Sequence, residues 1–257
     1  ATDMDISITE KLNCNIIEEG STTVSAHTLY DIIRKLPESS EIEVISNDGK
    51  IISLRAGKSK FSLGCLPKED FPIIEIGQLE NELSIDSQKF LKLIEKTRFA
   101  ISNEETRYFL NGIYFHKKQE DQSSLLSIVA TDGHRLTKFD FDLTAHLKEI
   151  PGVIIPKKTV NELYKLLTDF VGSIKINLNS NKIVFFIGET ILISKLIDGN
   201  FPDYRRVIPN DNNNILKINR QAFSLAVDRV STITNDKSPV IKFKLLNNLM
   251  NMSSINS

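Results

Sequence analysis

The sequence predicts an α+β protein assembled from a repeated domain. Three observations point there: strand-like alternation around a turn in the middle of the chain, four amphipathic helical windows, and short motifs that recur about 130 residues apart.

The turn comes first in the argument. Ile128 to Leu143 reads I-V-A-T-D-G-H-R-L-T-K-F-D-F-D-L, where a β-branched run is followed by Phe139, Phe141 and Leu143 alternating with Lys138, Asp140 and Asp142. A period of two is the pattern of a half-buried strand. Asp132-Gly133 between the two runs favours a tight turn. Glycine accepts positive φ without steric cost, and an Asp carboxylate accepts bonds from the backbone N–H groups that follow it. A β-hairpin displaying His134 and Arg135 is expected, with Asp132 read as a turn carboxylate that caps backbone N–H groups.

Part of this hairpin occurs twice. Ala1-Thr2-Asp3-Met4 opens the chain, and Ala130-Thr131-Asp132-Gly133 returns 129 residues later. After each copy comes a helical run, to Leu36 and to Leu167, then two strand-like runs and a Phe-Pro pair. Phe71-Pro72 and Phe201-Pro202 are offset by 130 residues. A third echo pairs Leu83 to Phe90 with Leu216 to Phe223 at an offset of 133. A fixed period dictates architecture, and a unit of ~130 residues is a common domain size. The expected organisation is residues 1–78 as the C-terminal part of a first domain, 79–209 as a complete second domain, and 210–257 as the N-terminal part of a third. The chain starts without Met and inside a repeat, so it is expected to be a fragment.

The helical windows carry the charge pattern. In Asp86 to Arg98, Phe90, Leu91, Leu93 and Ile94 can face a core while Lys89, Lys92 and Lys96 share another stripe. Pro156 to Thr168 begins with Pro at a plausible first helical position, followed by Lys157 and Lys158, with Val160, Leu163 and Leu167 inward. Ser25 to Leu36 and Asn219 to Val230 complete the set, the latter carrying Arg220 and Arg229. Together the four windows hold 11 Lys or Arg and 5 Asp or Glu, a local charge of +6 against −1 for the chain, so the remainder sums to −7. Lysines on amphipathic helices are by default a solvated face. Repeated helices in one orientation would instead align their basic stripes into a surface suited to a phosphate backbone.

Other classes find little support. Cys14 and Cys65 form no CxxC, which fits a reducing compartment. No apolar run approaches the ~20 residues of a membrane span. His27, His116, His134 and His146 lack metal-ligand spacing. No phosphate loop of the GxxxxGK[ST] type and no GxSxG is present. Asp132 and His134 could be imagined as a proton-transfer pair, but neither a nucleophile nor a third orienting group follows in a recognisable motif. No cofactor, metal or catalytic residue is expected.

Four motifs then carry a resemblance: A-T-D-G-H-R-L at 130–136, R-Y-F-L-N-G at 107–112, G-N-F-P-D-Y-R-R-V-I-P at 199–209, and K-F-S-L-G-C-L-P with D-F-P at 60–72. They resemble the bacterial sliding clamp, the beta subunit of DNA polymerase III, over essentially the whole chain. The resemblance implies the DNA clamp fold, with each domain packing two helices on antiparallel sheets, and two subunits closing head to tail into a ring around duplex DNA. It implies a non-catalytic accessory subunit, a processivity factor in the cytoplasm. Its implied partners are double-stranded DNA, the polymerase III alpha subunit, the clamp loader, and other polymerases and repair proteins that dock through short peptide motifs.

Carried over position by position, the peptide-binding pocket would comprise Arg107, Leu110, Thr131, Gly133, His134, Arg135, Leu136, Pro202, Arg206 and Val207. The family's pocket also draws on the end of the third domain, so an incomplete pocket is expected here. The resemblance, with the basic stripes, makes Lys89, Lys92, Lys96, Tyr108, Lys157, Lys158 and Arg220 DNA-facing. It puts Phe61 and Leu63 at the dimer contact, expected to be weakened in a fragment. Arg107, Arg135 and Arg206 could equally make internal salt bridges, and Phe201 could plug a core. A peptide-binding repeat scaffold with no DNA role is the alternative function.

Overall fold

The computed structural model describes residues 1–46, 49–79, 81–120, 123–142, 150–234 and 240–254. Leu143, the end of the alternating pattern, and His146 lie outside the described residues. The chain divides into two compact units, Ala1–Pro202 and Asp203–Ser257, and each is treated by itself. Among the described residues no helix is long and apolar enough to cross a membrane.

In the first unit, β1 (Ile6–Thr9) is followed by α1 (Ala26–Ile33), then β2 (Glu43–Ser46), β3 (Ile51–Ala56) and β4 (Ser59–Gly64). The last three form an antiparallel sheet in the order β2-β3-β4. The chain continues through β5 (Asn81–Asp86), α2 (Ser87–Thr97), β6 (Gly112–Glu120), β7 (Ser123–Thr131) and β8 (Leu136–Asp142). It then runs through β9 (Val153–Pro156), α3 (Lys157–Thr168), β10 (Ser173–Leu178), β11 (Lys182–Ile187) and β12 (Thr190–Lys195). These strands build two more antiparallel sheets, in the orders β8-β7-β6-β9 and β1-β12-β11-β10-β5. The observed class is α+β with helices on antiparallel sheets.

The helices form where the sequence supplies caps and one apolar stripe. The Asp86 carboxylate accepts from Lys89 N at 2.9 Å and starts α2. Phe90, Leu91, Leu93 and Ile94 of that helix are buried, as are Val160, Leu163 and Leu167 of α3. Phe90 meets Phe115 of β6 edge-on at 6.4 Å and Phe185 of β11 at 6.1 Å, so one side chain touches both large sheets. Burying a side chain of that size contributes about 2–3 kcal/mol. Pro156 sits one place earlier than the sequence suggested. It pairs with Gly112 as the last residue of β9 and caps α3 with extended backbone, ψ 147°, so the helix begins at Lys157.

The hairpin is present with a wider loop than a two-residue turn. Thr131 pairs with Leu136, which leaves Asp132 to Arg135 as four loop residues. Phe139 and Phe141 pack against the core. On the alternate face, Lys138 Nζ donates to Asp140 at 2.7 Å.

The sequence repeat reappears as a repeated network of hydrogen bonds. In the second copy Thr131 Oγ1 donates to the Arg135 carbonyl and accepts from Gly133 N, while Asp132 Oδ1 accepts from His134 N and Arg135 N. In the first copy Thr2 Oγ1 donates to the Ile6 carbonyl and accepts from Met4 N, while Asp3 Oδ1 accepts from Asp5 N and Ile6 N. The residue after the capping Asp has positive φ both times, 88° at Gly133 and 78° at Met4. A side chain in that region is strained. The first turn also feeds β1 into the five-stranded sheet, where Ile6 pairs with Ser194 of β12.

The second unit holds α4 (Arg220–Ser231) and the hairpin of β13 (Lys242–Leu246) with β14 (Leu249–Ser253). Asn219 Oδ1 accepts from Ala222 N at 2.9 Å, matching the Asp86 cap of α2 as the third echo implies. Phe223, the counterpart of Phe90, stacks on Phe243 at 5.9 Å.

Met4→Gly should relieve the strained φ and raise stability by about 0.5–1 kcal/mol. Urea unfolding of the two proteins measures it, and a lower midpoint for the glycine variant would show that Met4 is not strained.

Candidate functional site

The loop from Asp132 to Arg135 is held almost entirely by its own side chains. Asp132 Oδ1 accepts from His134 N and Arg135 N, both at 3.0 Å, and Oδ2 accepts from Arg135 Nε at 3.0 Å. Partial burial alone would raise the Asp132 pKa. The two backbone N–H groups and then the Arg135 side chain outweigh it, and the carboxyl falls from 3.8 to about 2. Asp132 is thus the turn-capping carboxylate expected from the sequence, and it stays ionised.

Arg107 is brought onto this loop from an irregular 3-10 segment, Glu105–Leu110, in which Arg107 itself has non-helical backbone (φ −114°, ψ 50°). Its guanidinium is clasped by Glu104 through Nε to Oε2 at 2.6 Å and Nη2 to Oε1 at 2.5 Å. That hydrogen bond holds the Glu104 carboxyl below its ordinary pKa and pushes Arg107 further up. One end of the guanidinium then reaches the turn: a Cβ placed on Gly133 would stand 2.5 Å from Arg107 Nη1. The positive φ favours glycine at 133, and a Cβ there would also push the end of the Arg107 side chain aside.

The structure therefore brings together Arg107, Thr131, Gly133, His134, Arg135 and Leu136. Leu110 ends the 3-10 segment with its side chain buried, 4% exposed. Pro202 is exposed and follows Phe201, whose ring stacks on Tyr114 at 4.8 Å and 3°. Arg206 and Val207 belong to the second unit, both largely exposed, and Arg206 Nε donates to Asp203 at 3.1 Å. All three arginines of the set thus pair with an acid three residues upstream: Glu104, Asp132 and Asp203. Sequence reasoning left Glu104 and Asp203 out of the site, although the i, i+3 spacing that joins them to an arginine is legible in the chain. It also missed Phe99, whose ring lies 5.5 Å from the Arg135 guanidinium carbon.

The basic residues divide into two groups. Lys89, Lys92 and Lys96 are exposed along α2, with Lys89 Nζ also 5.7 Å from the Phe141 ring. On α3, Lys157 Nζ bonds Asn103 Oδ1 and Lys158 Nζ pairs with Asp3. Tyr108 is 52% exposed, edge-on to Phe109 at 5.8 Å. Arg220 is exposed at the start of α4. Phe61 and Leu63 are half-buried on β4, which is an edge strand, and alternate there with exposed residues. Among the described residues no group of three or more His, Cys, Asp or Glu could hold a metal.

Comparison with known proteins agrees with the motifs. Residues 84–203 match the family model for the central domain of the DNA polymerase III beta subunit, and residues 1–75 match that for its N-terminal domain. The beta sliding clamp of Caulobacter vibrioides is 42% identical over 94% of this chain, which spans 65% of that relative. That of Rickettsia bellii is 37% identical over 99% of this chain and 67% of its own length. Among solved structures, a Bartonella birtlesii sliding clamp bound to griselimycin superposes with a TM-score of 0.91 at 46% identity, covering 98% of this chain and 68% of that one. A Caulobacter crescentus beta sliding clamp gives 0.93 at 41% identity, with 98% and 67% covered.

Because the folded pKa of Asp132 lies below its unfolded value, the charged carboxylate stabilises the fold above about pH 4, and that contribution is lost as pH falls through about 2. Asp132→Asn should therefore be less stable than the parent near neutral pH, and the gap should narrow on acidification toward about pH 2. Urea titrations across that range test it; a gap that stays constant with pH would remove Asp132 as a titrating anchor.

Proposed function

The chain belongs to the DNA polymerase III beta-subunit family, and from that membership we propose that it is a sliding clamp, a processivity factor that encircles duplex DNA and tethers the replicative polymerase. It spans about 65% of the curated relatives' length, and the proposal concerns the whole protein. In this reading residues 1–78, 79–209 and 210–257 are successive portions of three repeated domains. The protein acts in the cytoplasm as an accessory subunit with no chemistry of its own.

The observation that carries the DNA side is α2. Its apolar face is committed to the core by Phe90, Leu93 and Ile94, which leaves Lys89, Lys92 and Lys96 on the exposed face. Long flexible ammonium groups attract phosphates without reading base edges. That is what a ring that slides requires, since tight base contacts would stall it. Tyr108, Lys157 and Lys158 are proposed to face DNA with them, as is Arg220 of the second unit, while Phe61 and Leu63 on the β4 edge join two copies.

The partner side is proposed to be a docking surface on the first unit, formed by Arg107, Leu110, Thr131, Gly133, His134, Arg135, Leu136 and Pro202, with Arg206 and Val207 of the second unit proposed as further peptide-contacting residues. Apolar side chains there would take the hydrophobic residues of a peptide from the polymerase alpha subunit, the clamp loader, or other polymerases and repair proteins. The arginines would take its carboxylates or carbonyls by paired hydrogen bonds.

Loaded by its clamp loader onto nicked circular DNA, the full-length protein should survive a high-salt wash and escape when the circle is linearised. Loss in salt from the intact circle would leave ordinary electrostatic binding or none, and a peptide scaffold would take first place. Replacing Arg206 and Val207 together by Ala should weaken a polymerase-derived peptide by about tenfold without unfolding the protein; unchanged affinity by calorimetry would remove both from the proposed peptide contacts.

A further inference from the structure

Phe99 is an aromatic side chain left 55% exposed although its immediate neighbours are firmly placed. It sits in the 3-10 turn Arg98–Ala100 that closes α2. On one side Ala100 is fully buried. On the other, the Arg98 guanidinium stacks on Tyr164 at 3.6 Å. Thr137 Oγ1 donates to the Lys96 carbonyl at 2.7 Å, which ties β8 to the last turn of the same helix. The ring is therefore fixed relative to the start of β8, and Arg135 lies over it with its guanidinium carbon 5.5 Å from the centroid.

Arg135 is thereby held in two ways. Its Nε donates to Asp132 Oδ2 at 3.0 Å, and its guanidinium carbon lies over the Phe99 ring. Its side chain is still 59% exposed, and the two terminal nitrogens take no partner among the described residues. A guanidinium held at Nε and resting over an aromatic ring offers its remaining N–H groups as a fork, the geometry that matches a carboxylate in paired bonds. Holding the side chain in advance removes part of the entropy lost on docking.

We propose that Phe99 is a positioning residue for partner recognition: its ring orients Arg135 so that the free fork takes a carboxylate of a docked acidic peptide. The inference rests on the reading of the 131–136 loop as a peptide-docking site and adds to it a residue outside the family motifs. Phe99 acts through Arg135 and makes the site selective for an acidic residue over its amide.

The test uses the full-length protein and two fluorescein-labelled synthetic peptides that differ only in an aspartate or an asparagine flanked by leucines. The parent should prefer the aspartate peptide. Phe99→Leu keeps an apolar side chain but removes the π-face, and should weaken that peptide about threefold, the size of an exposed cation–π contact. It should leave the asparagine peptide unchanged, and Phe99→Tyr should retain the preference. In an Arg135→Ala background the preference should vanish and Phe99→Leu should have no further effect.

Equal weakening of both peptides by Phe99→Leu, no weakening of either, or an added loss in the Arg135→Ala background would each overturn the inference, as would a parent that binds both peptides equally. A parent that binds neither would overturn the docking reading itself, and the role of Phe99 with it.

Discussion

The placement of Phe90 is the constraint on which the first unit depends. Its ring is fully buried, with Phe115 of one sheet on one side and Phe185 of the other sheet on another. Aromatic pairs of this kind contribute about 0.5–1.5 kcal/mol beyond the area they bury. Rotating α2 to relieve either contact would pull Leu93 and Ile94 out of the same core. The helix can therefore adopt one orientation about its axis. Once that orientation is set, the exposed positions of Lys89, Lys92 and Lys96 follow from helical geometry alone. The proposed DNA-facing stripe is a consequence of core packing.

A second constraint is the turn that the chain uses twice. The backbone bonds of Thr2 and Asp3 repeat those of Thr131 and Asp132, so the same local device closes both loops. What differs is the side chains mounted on it. Ile6 in the first copy is buried and begins β1, which adds to β12; its counterpart Arg135 is exposed. Asp3 pairs with Lys158 and Asp5 with Lys195, anchoring the first loop to α3 and β12. In the second copy Arg107 packs on the loop and Glu104 holds it there. One backbone motif thus serves as a structural joint at one position and as a display loop at the other.

Much of this was legible in the chain because it is local. The caps at Asp86 and Asn219, the apolar stripe of α2, the positive φ of Gly133 and the turn-capping role of Asp132 all follow from residues within a few positions of one another. The width of the hairpin loop was not legible, because Thr131 and Leu136 close the ladder where an Asp-Gly signal alone would place a two-residue turn. The pairing of β1 with β12 was not legible either, since Ile6 and Ser194 are joined by a contact that no periodicity encodes. The contact of Phe99 with Arg135 depends on how α2 is docked beside β8. Spacing showed neither, whereas the three acid–arginine pairs lay at a helical interval that could have been read.

Those three pairs bear on how a docking site of this kind can work. Glu104–Arg107 and Asp203–Arg206 are open to solvent, and such pairs are weak, whereas Asp132 beneath Arg135 is only 22% exposed. The two open pairs are thus too weak to lock Arg107 and Arg206 away from a proposed partner, yet sufficient to bias where each guanidinium rests, while Asp132 holds Arg135 at Nε. The contact of Arg107 with Gly133 adds a close approach, since a Cβ at that position would push the guanidinium aside. The loop therefore combines a turn fixed by the hydrogen bonds of Thr131 and Asp132 with charged arms that can be exchanged. A surface that must release one peptide and accept another needs that division, since arms bound strongly to their own acids would exclude partners, and arms left free would lose entropy at each docking.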